Sequence, residues 1–309
     1  MITFYANTKG FEVIDHWESN CWVSAECPNN EERSFLLNGL DIPESFLSDI
    51  EDNDERARRE EEDDWQLIVI RVPWRKNTQN HTDYNTVPLG IIIRGDIFVT
   101  VCNYKIDLLD DFVVYSIRKQ ITVNNHYELV MRIMLSTSVW YLKYLKHINI
   151  HILNIESELQ ESVQNKDVIE LQRIENSLVY FVTSLKGNDV LFYRMMHTKS
   201  IRDNCDEELL EDVEIELKQA EETTSIYRNI IHSMSNSYSS VISNNINDTM
   251  KQLTTISIIM MLPTLIASIF GMNVPNFMED NPYALAGIIG AAIIASIVLY
   301  YLFKRSKFF

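Results

Sequence analysis

Charged and apolar positions are distributed unevenly along this chain. From Gln252 to Met278 no residue is charged, and after Glu279 and Asp280 a second uncharged run extends from Asn281 to Phe303. Each exceeds the roughly 20 residues that a helix needs to cross the hydrocarbon core of a bilayer. The pattern therefore predicts membrane helices over residues 252–272 and 282–303, joined by a short loop, 273–281. Before residue 120 the pattern is mixed. Glu12–Ile14, Leu67–Val72, Gly90–Ile93 and Ile97–Val101 are short β-branched runs bounded by Pro, Gly and Asp, which predicts a sheet. A helical segment from Ile42 to Asp64, with Pro43 near its start, is expected between the first two runs, giving an α/β domain over residues 1–125.

No proline lies between Pro88 and Pro263 and no glycine between Gly187 and Gly271, so residues 188–262 contain neither helix breaker. One helix from about Asn204 through the first span is expected, on the order of 100 Å long at 1.5 Å per residue. A helical block from about Tyr127 to Lys186 should fold back against it, making residues 126–251 a bundle of long helices. The chain then reads as an α+β membrane protein.

Two stripes share the long helix. Val213, Leu217, Ala220, Thr224, Tyr227, Ile231, Met234, Tyr238 and Val241 alternate steps of four and three, the spacing of a helix-packing seam. A second stripe with the same steps runs through Asn229, Ser233, Asn236, Ser240, Ser243, Asn247, Met250, Thr254, Ser257, Met261, Thr264 and Ser268, every one polar or Met. Facing lipid, such a row is unfavourable, so it needs either another helix or water opposite it. Ser and Thr commonly mediate close helix packing in membranes. A shared wet axis, by contrast, accounts for both the cytosolic and the membrane parts of the stripe. Two spans cannot enclose a pore, so that reading requires a symmetric ring to which each copy contributes its first span. The expected lining, from Asn236 to Ser268 with Leu253 close to the axis, is neutral and could hydrogen-bond the waters of a hydrated ion without holding it too tightly. Met250, Leu253 and Met261 could instead form apolar constrictions that close by dewetting.

Charge adds direction to this picture. Lys+Arg number 27 against 44 Asp+Glu, a net charge of −17, which excludes the phosphate-neutralising surface that nucleic-acid binding needs and suits a protein that handles cations. The link between the spans has no Lys or Arg, whereas Lys251 precedes the first span and Lys304, Arg305 and Lys307 follow the second in a short basic tail, 304–309. The positive-inside rule places both termini in the cytoplasm of a cell (inner) membrane. Met1–Tyr5 lacks the layout of a signal peptide, so none is expected. Cys21, Cys27, Cys102 and Cys205 form no CxxC pair and read as free thiols. His147 and His151 have a possible metal-ligand spacing but no nearby acidic or Cys partner, and read as ordinary core or surface histidines. Glu60–Asp64 and the row Asp206, Glu207, Glu208, Glu211, Asp212 and Glu214 offer hard oxygen ligands, most of them solvated surface charge. No GxxxxGK[ST] loop and no nucleophile–base pattern occurs, so neither an ATP-driven pump nor an enzyme with an organic cofactor is expected.

At the outer end of the first span stands Phe270-Gly271-Met272-Asn273, with Pro275 two residues on. A Gly-Met-Asn tripeptide between two C-terminal spans, after a long helix free of Gly and Pro, resembles the signature of the CorA family of divalent-cation channels. Asn247–Thr254 is similar to that family's pore entrance, and Asp41-Ile42-Pro43 with Asp64–Arg71 to its cytoplasmic domain. The resemblance implies a homopentameric funnel in the bilayer with five first spans around the pore. Gly271, Met272 and Asn273 would form the outer selectivity ring for hydrated Mg2+, with the Gly271 carbonyl and the Asn273 side-chain oxygen turned toward the ion. It also implies regulatory Mg2+ bound between neighbouring copies by Asp64, with Asp63 beside it, and by Asp212, closing the channel when internal Mg2+ is high. Here the loop reads Val274–Asp280 rather than the Met-Pro-Glu-Leu type, and Glu279 and Asp280 are candidates to attract cations to the mouth. The function so implied is influx of Mg2+, with Co2+ or Ni2+ also passing. The alternatives are a Zn2+ transporter or a Mg2+ efflux protein of the same superfamily, and a membrane-anchored coiled-coil scaffold without transport.

Overall fold

The computed structural model describes residues 1–77, 82–161, 165–272 and 283–305. In chain order the elements are β1 (Ile2–Asn7), β2 (Phe11–Ile14), β3 (Trp22–Glu26), α1 (Asn30–Ser34), a π-helical turn (Phe35–Gly39), α2 (Glu44–Glu51), β4 (Arg58–Glu62), β5 (Trp65–Asn77), β6 (Thr82–Arg94), β7 (Ile97–Cys102), α3 (Asp107–Lys119), α4 (His126–Glu161), α5 (Asn165–Met196), α6 (Lys199–Arg202), α7 (Glu207–Phe270) and α8 (Ala284–Arg305). The chain divides into two compact units, Met1–Ser235 and Asn236–Phe309.

The first unit is built on a mixed seven-stranded sheet in the order β2-β1-β3-β7-β6-β5-β4, with β3 and β7 parallel and the other pairs antiparallel. Its central strands read as continuous apolar runs because both faces are covered. Leu67 and Val69 of β5 pack with Phe46, Leu47 and Ile50 of α2 on one face. Ile70, with its side chain on the opposite face, lines a small buried space with Met134 and Thr137 of α4, Asn188 of α5 and Leu217 of α7. Gly90 of β6 is required by this layering: a Cβ there would overlap the Ile50 side chain. Polar anchors fix the helical face to the sheet. Asn188 accepts from the Arg71 N–H at 2.9 Å and donates to the Arg71 carbonyl at 2.8 Å, and the Tyr141 hydroxyl donates to that same carbonyl at 3.1 Å.

Three expectations from the sequence change. The helix expected over Ile42–Asp64 is confined to Glu44–Glu51, and Arg58–Glu62 forms the edge strand β4 instead. Antiparallel pairing with β5 and the ion pairs of Arg58 to Asp49 (2.6 Å), Glu55 (3.1 Å) and Glu60 (2.7 Å) satisfy a charged run that has no apolar face to bury as a helix. A charged edge also resists pairing with other chains. The block expected from Tyr127 to Lys186 is two helices, α4 and α5. Finally, β1 and β3 join the sheet although only the second strand of that region stood out in the sequence.

Candidate permeation path and cation sites

Helix α7 enters the second unit at Asn236 and runs on to Phe270. Pro263 lies inside it, and as a proline it has no N–H to give to the Ile259 carbonyl. Its sides differ in cover. Thr255 is 1% exposed, and Ile259, Leu262, Pro263 and Ile266 are half-buried. The polar stripe is bare: Asn236, Ser240, Ser243, Asn247, Met250, Leu253, Thr254, Ser257, Met261, Thr264 and Ser268 are all exposed, Met261 to 69%. At about 100° per residue, the stripe lies roughly opposite the covered side. The chain thus covers one face of its own apolar span and leaves the polar face open.

Three of the hydroxyls on that open face have a fixed orientation. Ser240 donates to the Asn236 carbonyl at 3.1 Å, Ser257 to the Leu253 carbonyl at 2.8 Å and Thr264 to the Met260 carbonyl at 3.1 Å. A carbonyl cannot donate, so each hydroxyl proton points back along the helix. Asp248, the single carboxylate between Glu222 and Glu279, makes an ion pair with Lys251 at 3.1 Å. Beyond Lys251 the chain carries no charged residue up to Met272.

At the end of α7 the Gly271 N–H closes on the Ala267 carbonyl at 2.9 Å, and Met272 follows with 59% of its surface exposed. Asn273, Glu279 and Asp280 lie outside the described residues.

In the first unit, Asp63 and Asp64 form the two-residue turn between β4 and β5, with Asp63 in the left-handed region at φ 53. Both are exposed. Their neighbours are engaged: Glu60 by Arg58, Glu61 by Arg59 and Gln66, and Glu62 by Ser45 at 3.0 Å. Asp63 and Asp64 make no hydrogen bond or ion pair among the described residues. Asp212 is likewise exposed and unpaired there, whereas Glu214 holds Lys218 at 2.7 Å. Asp212 sits on the rim of a groove between α3, α4 and the start of α7, beside Asp206, Glu208, Arg118 and Trp140. This groove was not legible in the sequence, since it forms from three segments that share no motif. The chain does not bring Asp212 to Asp63 and Asp64, and among the described residues no three His, Cys, Asp or Glu side chains are gathered to hold a metal ion. All four cysteines are free thiols, and burial pushes the Cys102 thiol up to about 12.

The sequence profile of the CorA-like Mg2+ transporter protein family matches residues 17–305. The chain belongs to the CorA family. It is 26% identical over 300 residues to the cobalt/magnesium transport protein CorA of Methanocaldococcus jannaschii, covering 92% of this chain and 90% of that one. In fold it matches the complete structure of the CorA magnesium transporter from the same organism at a TM-score of 0.79 and 21% identity, covering 100% of this chain and 99% of that one. The full-length CmaX protein shares the fold at a TM-score of 0.68 and 14% identity, covering 98% and 96% of the two chains. The cytoplasmic domain of ZntB from Vibrio parahaemolyticus does so at 0.58 and 10% identity, covering 78% and 98%. As a CorA-like protein the chain is a divalent-cation transporter of the membrane and not an enzyme, and its two long apolar helices, ending at Phe270 and Arg305, are the candidate spans.

Proposed function

We propose that this chain forms a homopentameric Mg2+ channel in the cell (inner) membrane, with both termini and residues 1–251 in the cytoplasm. The observation that carries this reading is the bare polar face of α7, opposite the face the chain itself covers. Five copies around an axis would turn these faces onto shared water and remove the cost of exposing them to lipid. Residues 252–272 would line the pore and residues 282–303 would face outward. Hydrated Mg2+ keeps several waters, so a neutral lining that binds those waters passes the ion without stripping it. Met250, Leu253 and Met261 would close the path by excluding water. Gly271, Met272 and Asn273 would select the ion at the outer mouth, with Glu279 and Asp280 raising the local cation concentration. A potential of 100 mV drives a dication inward with about 4.6 kcal/mol.

Asp63 and Asp64 of one copy and Asp212 of its neighbour would bind Mg2+ when the cytosol is replete and hold the ring closed. That both sites are exposed and unengaged within the chain supports this assignment. Loss of the ion would leave mutually repelling carboxylates and shift the population toward the open state.

Reconstitution into liposomes tests the whole reading. Mg2+ should enter when the lumen is low in Mg2+, and flux no greater than in empty liposomes would leave a scaffold as the better account. Asn273→Ala should abolish selective flux while the assembly survives; normal selective flux in that variant would remove Asn273 from the filter. Competition of Mg2+ against Zn2+ and Co2+ in the same assay identifies the preferred ion.

A further inference from the structure

An uncharged path must still distinguish a cation from an anion, and the hydroxyl orientation on α7 supplies a means. We infer that Ser257 and Thr264 are specificity-determining residues that act as fixed hydrogen-bond acceptors, admitting hydrated cations and turning away hydrated anions. Resting on the permeation path proposed above, this assigns a chemical role to two of its positions.

A hydroxyl offers one proton and two lone pairs. At Ser257 and Thr264 the proton is committed to the carbonyls of Leu253 and Met260, so the open face receives lone pairs only. The waters around a cation point their hydrogens outward and find acceptors there. The waters around an anion point their oxygens outward and find no donor. The rest of the membrane stretch follows the same rule. Met250 and Met261 present thioether sulfur, a weak acceptor, and Leu253 presents neither donor nor acceptor. No side chain with an N–H stands on the stripe between Asn247 and Ser268. The hydroxyls without a back-bond among the described residues, Thr254 and Ser268, lie toward the two ends of the span, so the donor-free segment is its middle. Ser257 and Thr264 are two turns apart, about 10 Å at 1.5 Å per residue, so a ring of copies would set two collars of oxygen along the axis.

The test uses the full chain in proteoliposomes, with Mg2+ and chloride flux measured in parallel and assembly followed by size-exclusion chromatography. Thr264→Val keeps the shape and removes the oxygen, and should lower Mg2+ flux about tenfold, on the scale of one lost hydrogen bond. Thr264→Ser restores the oxygen with its back-bond and should recover most of that loss. Thr264→Asn adds N–H donors and should raise chloride flux relative to Mg2+. Ser257→Ala should repeat the loss at a position without β-branching, which guards against a fault peculiar to Thr264. Ser257→Cys exposed to a membrane-impermeant trimethylammonium thiosulfonate, with wild type under the same reagent as baseline, reads out whether the position meets water. If the Cys variant is blocked while Thr264→Val and Ser257→Ala keep wild-type rate and cation preference, the acceptor role is overturned and the permeation path stands. If the Cys variant conducts and is not modified, both fall.

Discussion

Helix α7 carries two stripes of identical spacing whose fates differ. In the first unit Val213, Leu217, Ala220, Thr224 and Ile231 are buried to 2% exposure or less. In the second unit the polar stripe from Asn236 to Ser268 is exposed throughout. Spacing alone is therefore neutral about purpose: a four-and-three rhythm states that residues share a side and leaves open what they meet. As far as Ile231 the first stripe meets the chain's own helices and contributes stability; its last member, Val241, is 40% exposed. The second, from Asn236 to Ser268, is left exposed by the described residues of its own chain, as a surface completed by other copies and water would be.

Substitutions can break or sharpen this contrast. The largest change is expected at Leu217→Ala, which should cost about 2–5 kcal/mol and lower the unfolding midpoint of the purified protein in detergent. Ser243→Ala on the bare stripe should stay within about 0.5 kcal/mol. Equal losses at the two positions would mean that the polar stripe is packed rather than wet. A matched pair comes next. Thr224 and Thr264 both donate to the carbonyl four residues back, at 2.6 and 3.1 Å, yet one is fully buried and the other bare. Thr224→Val should change stability by about 1 kcal/mol or less and leave flux intact, while Thr264→Val lowers flux and leaves stability alone. Reversal of those two outcomes would exchange the roles of the stripes.

A smaller effect is expected at Asp212→Ala: conduction persists and the cytosolic Mg2+ concentration giving half-inhibition rises. Inhibition unchanged from wild type would count against the sensor role. The smallest is a pH effect confined to the first unit. Burial acts to raise the Glu128 carboxyl, but the Asn124 N–H at 2.9 Å and the Arg132 guanidinium at 2.7 Å outweigh it and hold the group below the ordinary glutamate range. A depressed folded-state value means that its stabilisation is complete above the unfolded value, about 4.3, and is lost as pH falls through the folded value. Glu128→Gln should therefore flatten the acid-side loss of stability seen in wild type below about pH 4. An unchanged slope in thermal melts across that range would show that Glu128 does not contribute to it.

Much of the long-range plan was legible because it depends on local periodicity. Uncharged runs mark the spans, and the lack of Gly and Pro between residues 188 and 262 allows one helix from Glu207 to Phe270. The strands β5, β6 and β7 announced themselves by β-branched runs that a doubly covered sheet demands. Arg58–Glu62 did not, since a string of charges has no periodicity of its own. Its strand state comes from the ladder with β5 and from Asp49 and Glu55, partners several residues away in the chain. Asp63 and Asp64 are singled out from the acidic run by the family resemblance rather than by periodicity, and the structure adds that their neighbours Glu60, Glu61 and Glu62 are engaged while these two are not among the described residues.

The sequence by itself determined the two apolar spans, the continuous helix, the polar row along it and the Gly-Met-Asn tripeptide, because length, charge and 3.6-residue periodicity act within a segment. The Ser257 and Thr264 protons point back along the helix by the same local logic, since their acceptors lie four residues earlier in α7. Only the tertiary structure decided which stripe is buried and that the polar row lies opposite the covered side of the span, because burial depends on which distant elements arrive against a face.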